Sequence, residues 1–280
     1  MAGPGVRELS VAGAGVRLSG EESGEGVPVV LLHGLTATRR YVVMGSRTLE
    51  RGGHRVIAYD ARGHGRSEPA ADRRYGYEHL AADLLAVLDE LAIDRAVLAG
   101  ASMGAHTALA LALAHPERVA ALALITPAFD PDEHGQGPEL ARWDALASGL
   151  RDGGVDGFLA AYDLSAVPAQ WRETTETVLR QRLAAHDHPL AVADALEVVP
   201  RSRPFESLAQ LSAITAPALV VASRDEADPG HPLRVGERYA ELIPGAQLLV
   251  EDPGPPPRSP IAWQGGQLSR AIAELAARSA

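Results

Sequence analysis

The run Val97-Leu98-Ala99-Gly100-Ala101-Ser102-Met103-Gly104-Ala105-His106 constrains this chain more than any other stretch. A strand-length apolar segment, Ala96 to Ala99, leads into it, and Ala108 to Ala114, a strong helix former, follows. Between them stands Gly-x-Ser-x-Gly. A backbone that turns sharply from strand to helix holds its central serine in a strained conformation. Small residues at 100 and 104 let the two arms approach closely. The pattern predicts that Ser102 projects from the carboxyl end of a strand into the main pocket.

The rest of the chain is consistent with a sheet around that strand. Residues 6–11 and 15–19 alternate about a Gly-rich turn and predict a hairpin. Val27 to Leu32 is a continuous apolar run, the mark of a strand buried on both faces, and it ends in His33-Gly34-Leu35-Thr36. A helix is expected over 39–51, closed by Gly52-Gly53, then a strand at 55–59 and a helix at 77–92 with Leu80, Leu84, Val87, Leu88 and Leu91 on one stripe. Val119 to Ile125 predicts another strand. Strands alternating with helices imply a mostly parallel sheet flanked by helices. From 129 to 210 only helix-like segments occur, at 138–150, 155–162, 168–185 and 189–199. Strands resume at 218–222 and 247–250, with helices at 231–243 and 262–278. The expected organisation is a core of residues 1–128 and 211–280 with a helical cap, 129–210, inserted between its halves.

Composition removes several classes of function. The formal net charge of −10 disfavours a nucleic-acid partner, and the absence of cysteine removes disulfides, thiolate nucleophiles and thiolate metal sites. The longest apolar region, Ala108 to Ile125, is broken by His115-Pro116-Glu117-Arg118, so no membrane span is expected. No basic segment followed by an apolar core opens the chain, and a cytoplasmic location is the expectation. The sequence leaves oligomeric state open.

Four features in order carry a resemblance to the α/β-hydrolase fold superfamily. They are His33-Gly34 after a buried strand, Asp60-x-Arg-Gly-x-Gly-x-Ser67, the Gly-x-Ser-x-Gly turn at Ser102, and an acid, Asp225, after a late strand. The resemblance covers nearly the whole chain and includes the position of the cap. It implies attack by Ser102 on the acyl carbonyl of a small, fairly apolar ester, lactone or thioester, with no cofactor and no metal. It also implies an oxyanion hole from the backbone N–H groups of Met103 and Leu35. His33 is expected to tie down its loop, and Asp60 to Ser67 to be architecture, with Arg62 paired to a carboxylate. Asp225 takes the part of the acid that orients the base, with Asp228 as rival and Glu226 a weaker one.

The base is where the resemblance departs. The superfamily places a histidine after the last strand, and here Pro255 stands at that position, within a proline-dense loop, 252–260. No histidine follows His231. Losing one triad member lowers rates by about 10⁴ to 10⁶. His231, or His186 and His188 between two cap helices, are the candidate substitutes, with His106 on the floor of the site a weaker one. His186-Asp187-His188 has a metal-like spacing but lacks a third ligand. A non-hydrolytic, cofactor-free lyase, cyclase or isomerase on the same fold, or a degenerate binding protein, is the alternative.

Overall fold

The computed structural model describes residues 5–135, 137–224, 230–252 and 260–279. Strands β1 (Arg7–Ala12) and β2 (Arg17–Ser23) form the antiparallel hairpin, and β2 runs antiparallel to β4 (His54–Tyr59). β3 (Val27–Leu32), β4, β5 (Ala96–Ala101), β6 (Val119–Ile125), β7 (Ala218–Val221) and β8 (Gln247–Leu249) pair in parallel. The sheet order is β1-β2-β4-β3-β5-β6-β7-β8. The chain therefore steps outward from β3 to β4 and then returns to the other side of β3 as β5. At such a switch point two successive strand ends diverge and leave a crevice. Leu32 pairs with Gly100, so the loops leaving β3 and β5 begin side by side.

Both faces of the sheet are covered, which is why its central strands are apolar without alternation. On one face Val30, Leu98 and Val220 pack with residues of α2 (Tyr77–Glu90), α3 (Met103–Ala114) and α7 (Leu233–Leu242), among them Leu84, Leu109 and Tyr239. On the other, Val29, Val97 and Ala123 pack with Leu49 of α1 (Thr48–Arg51) and Leu268 and Ile272 of α8 (Gly265–Ala277). Each fully buried valine, leucine or isoleucine among these contributes about 1.5–3 kcal/mol of transfer free energy.

Between β6 and β7 the chain forms α4 (Gly137–Ala161), α5 (Ala169–Leu183) and α6 (Pro189–Val198). α4 breaks at Gly154, where φ is 60° and ψ −143°, so it consists of two helical arms. These helices share their own apolar cluster, including Leu150, Phe158, Leu183 and Leu196, and Leu35 of the core packs against it. Phe129, Phe205 and Leu208, at the ends of the insertion, belong to the cluster under the sheet. Phe158 stacks on Tyr162 and Trp171 meets Trp263 edge-on.

One expected element does not form. The helix expected over 39–51 is reduced to a single 3₁₀ turn, Arg39–Tyr41, and the four-residue α1. Met44 and Gly45 both have positive φ, 49° and 73°, which a right-handed helix does not accommodate. Among the described residues no helix is long and apolar enough to cross a membrane.

Candidate active site

Ser102 is the residue between β5 and α3, with φ 50° and ψ −112°. A non-glycine residue there is strained, by about 1–3 kcal/mol. The surroundings explain why it is tolerated. The Ser102 N–H donates to Ile125 O at 2.9 Å, which pins the turn to the end of β6. A Cβ on Gly104 would sit 2.1 Å from Leu32 O, and one on Gly100 would sit 2.2 Å from Gly104 O. Both glycines are thus required by close backbone approach, and the strained turn follows from the packing of α3 on β3 and β5.

The loop leaving β3 lies against this turn: a Cβ on Gly34 would be 3.4 Å from the Ser102 Cβ. Met103 occupies the first position of α3, where the N–H has no intrahelical acceptor and the helix dipole favours negative charge. Ser102, Met103 and Leu35 all line one cavity of about 280 Å³, and it runs beneath the insertion. Tyr77, Phe129, Trp143 and Val199 give it an apolar wall. Asp130, Glu133, His134, Glu139, Arg142 and Arg234 add polar and charged groups to the lining. Arg234 is ion-paired with Glu133.

The histidines sort sharply by environment. His33 donates Nδ1–H to Gly34 O at 2.8 Å and accepts from Ala61 N–H at Nε2, also at 2.8 Å. Burial holds its pKa down at about 3, so it is a neutral tie between the loop after β3 and the loop after β4. His106 lines the cavity floor, but its Nε2 accepts the N–H groups of Ala128 and Phe129 and its Nδ1 meets the Tyr77 hydroxyl at 3.1 Å. Burial lowers it to about 3, and the charges of His231 and His134 work in the same direction.

His186 is buried outside the cavity. Its Nδ1 accepts from Gly65 N–H at 2.8 Å and its Nε2–H donates to Thr36 O at 3.0 Å. Both nitrogens are committed, so the expectation of a base there is replaced by a structural role. His188 is exposed at the start of α6, and neither it nor its chain neighbours Asp187 and Pro189 line the cavity, which removes it from the candidates. His231 is not itself part of the cavity wall but stands between two residues that are, Gly230 and Pro232, and its charge acts on the His106 ring. Asp225, Asp228, Glu226 and Pro255 lie outside the described residues, as does most of the loop 252–260.

Among the cavity residues that the sequence does not mark is a histidine. His134, at the start of the insertion, packs on Phe129 with ring centroids 4.6 Å apart and bonds to the Ser202 backbone. Its Nε2 is buried without a hydrogen-bond partner among the described residues, and burial lowers its pKa. Nothing in its local sequence marks it; only the fold brings it to the cavity. Arg62, by contrast, pairs with a carboxylate as expected, that of Asp83. Among the described residues no cluster of histidine and carboxylate side chains is placed to hold a metal ion.

The strained serine turn, the adjoining Gly34–Leu35 loop and the covered cavity occur together at a sheet switch point. A family model described as the alpha/beta hydrolase fold matches residues 27–256. This chain belongs to the α/β-hydrolase fold family. It is 35% identical over 205 residues to the "Putative carbamate hydrolase RutD" of Variovorax paradoxus, covering 72% of this chain and 75% of that one. A thermophilic esterase from Thermogutta terrifontis superposes with a TM-score of 0.77 at 25% identity, over 98% of this chain and 99% of the other. The enol-lactonase from Burkholderia xenovorans LB400 superposes with a TM-score of 0.68 at 27% identity, over 87% and 91% of the two chains. The protein is an α/β-fold hydrolase acting on small substrates.

Proposed function

We propose that this hydrolase works by acyl transfer to Ser102, with His231 as the base in place of the histidine that the superfamily places after its last strand. The observation that carries the reading is Ser102 itself. It has a positive φ, opens onto the cavity, directly precedes Met103, and shares the cavity with Leu35 of the adjoining loop. The Ser102 oxygen forms a bond to the acyl carbon while its proton passes to the base. The carbonyl π pair moves onto oxygen, where the two N–H groups stabilise it. The oxyanion then collapses, the leaving group departs with the proton, and water repeats the sequence on the acyl-enzyme.

His231 is favoured over His186 and His188 because its chain neighbours line the cavity. Asp225, six residues earlier, is the proposed acid that orients it. The relatives are named for a carbamate, an ester and an enol lactone. These substrates share a carbonyl bearing a heteroatom leaving group. The cavity lining supports a small member of that class, with apolar contacts from residues such as Phe129 and Trp143 and polar ones from residues such as Arg142 and Arg234. The protein requires no cofactor in this reading and acts in the cytoplasm on a small molecule, with no nucleic-acid or membrane partner.

A second assignment of the base rests on the unpartnered Nε2 of His134. Hydrolysis of a small activated aryl ester separates the two. Ser102→Ala is expected to abolish turnover. His231→Ala is expected to lower kcat by about 10²–10⁴-fold, the usual contribution of a positioned base, with His134→Ala changing it little. The reverse ranking moves the base to His134. Ester hydrolysis that survives Ser102→Ala overturns the acyl-transfer reading altogether and leaves attack by water or by another nucleophile; a wild type that does not hydrolyse such esters favours a non-hydrolytic reaction.

A further inference from the structure

The turn Gly34–Ala37 carries strain that its own residues do not relieve. Ala37 N–H donates to Gly34 O at 3.0 Å, and Thr36, the third residue, has a φ of 66°. Glycine ordinarily fills such a position, and a β-branched residue there is strained. Two side chains of the helical insertion grip it. Arg182, at the end of α5, donates from Nη2 to Leu35 O at 2.9 Å and to Thr36 Oγ1 at 3.0 Å. Its guanidinium carbon lies 5.8 Å from the centre of the Tyr41 ring. His186, between α5 and α6, donates to Thr36 O at 3.0 Å and is itself anchored by Gly65 N–H at 2.8 Å. From the core, His33 holds Gly34 O at 2.8 Å.

Three consecutive carbonyls, those of Gly34, Leu35 and Thr36, are therefore each held by a side chain, two of them from the insertion. A peptide group is planar, so a fixed Gly34 carbonyl directs the Leu35 N–H the opposite way. Thr36 belongs to the same closed turn, since the next residue's N–H, that of Ala37, also donates to Gly34 O. If Thr36 relaxed toward an unstrained φ, the turn would rotate and carry the Leu35 N–H with it.

We propose that Arg182 and His186 are positioning residues of the oxyanion hole. Their grip on the Leu35–Thr36 turn makes seating of the insertion a condition for the Leu35 N–H to face Ser102. This rests on the acyl-transfer reading of Ser102. Neither residue touches the reacting atoms; both act through the backbone of the turn. The arrangement links the wall that covers the substrate to the donors that stabilise the transition state.

The test compares wild type with Arg182→Met, Arg182→Lys, His186→Gln, Thr36→Gly and Ser102→Ala. It reads kcat and KM on an aryl ester, the affinity for an aryl trifluoromethyl ketone, and the thermal midpoint. The Ser102 oxygen adds to the ketone's carbonyl carbon, its proton passes to the base and the carbonyl π pair moves onto oxygen, so the affinity for the ketone reports the oxyanion donors. Arg182→Met is expected to lower kcat about 10- to 100-fold, part of the cost of removing one donor outright, with KM within about threefold. Ketone affinity should fall in parallel, and Arg182→Lys should recover part of both. Thr36→Gly, which adopts the positive φ without strain, should shrink the cost of Arg182→Met in a double-mutant cycle.

The proposal is overturned if folded Arg182→Met keeps kcat and ketone affinity. It is also overturned if activity falls only in step with thermal stability. Should Arg182→Met not fold, His186→Gln decides: unchanged ketone affinity there overturns the proposal. A wild type that does not bind the ketone, or a Ser102→Ala variant that still does, marks failure of the acyl-transfer reading, and the proposal falls with it. Wild-type binding with indifferent Arg182 and His186 variants marks failure of the positioning role alone.

Discussion

The guanidinium of Arg62 and the carboxylate of Asp83 form a two-point pair, at 2.7 and 2.8 Å, with both side chains 1% exposed. The pair is fully satisfied. Arg62 also donates to Arg74 O and Ala14 O, and Asp83 also accepts from Ala14 N–H. It thereby ties the loop after β4 and the β1–β2 turn to α2. Removing one partner strands the other charge in the interior. Asp83→Ala is expected to cost about 3–5 kcal/mol, seen as a lower urea midpoint with the m-value kept. An effect below about 1 kcal/mol would show that water reaches Arg62.

The elbow makes a steeper prediction. A side chain at Gly104 has no room against Leu32 O, at 2.1 Å, and that neighbour is sheet backbone. Gly104→Ala should abolish soluble folded protein or cost more than about 4 kcal/mol, among the largest single-site effects in the chain. Gly153→Ala is the control, since a Cβ there meets nothing within 4 Å. It should be neutral or slightly stabilising, as a helix position losing a glycine gains up to about 1 kcal/mol. Thermal denaturation of the two variants checks both.

Stability should fall on acidification well above the range where carboxylates titrate. His33 and His106 are held at about 3 by burial, and His64 is pushed well down by the same cause. The unfolded chain binds protons at these rings near the ordinary 6.5, while the folded chain does not. The stability they confer is therefore complete above about pH 6.5 and is lost as pH falls toward 3. His186 adds to this in the same direction. The Asp60 carboxylate works against the shift of His64 and of His186; the Arg182 charge reinforces the shift of His33 and of His186. At pH 5 the loss is on the order of 1–2 kcal/mol each for His33 and His106. Urea midpoints at pH 7.5 and 5 measure it, and a His64→Asn variant should show a shallower dependence. Equal midpoints at the two pH values would refute the argument.

Much of the sheet and the serine turn could be read from sequence because each is dictated locally. The residues 100 and 104 must be small wherever a helix folds back on its own strand, and Val29 to Leu32 must be apolar on both faces. The failed helix at 39–51 shows the limit. Its composition suits a helix, but Val43 is buried against α8, where a Cβ on Gly265 would sit 2.1 Å from Val43 O. That long-range packing accompanies positive φ at Met44 and Gly45 and wins over local propensity. The histidines show it again. His186 looks like a candidate base in sequence, but what settles its role is Gly65 and Thr36, more than a hundred residues earlier in the chain. His134 has no sequence mark because its partners, Phe129 and Ser202, are joined only by the fold.

His106 offers the last prediction, because it lies on the cavity floor four residues past Ser102 without the properties of a base. Its Nε2 is the acceptor for two backbone N–H groups, those of Ala128 and Phe129, each at 3.2 Å. These are the residues through which the chain leaves β6 for the insertion, and Phe129 forms part of the cavity wall. His106→Leu leaves both N–H groups buried without an acceptor, at about 1–3 kcal/mol each, and frees the Phe129 ring to shift. The expected result is a destabilised enzyme with KM raised more than kcat is lowered. His106→Gln, which keeps an acceptor oxygen, should recover most of the stability. Because burial keeps this ring neutral down to about pH 3, the acid limb of the kcat/KM profile should be the same in wild type and in His106→Gln. An acid limb that disappears in His106→Gln would mean that His106 does take the proton of Ser102, and the base would then be on α3 rather than in the loop that carries His231.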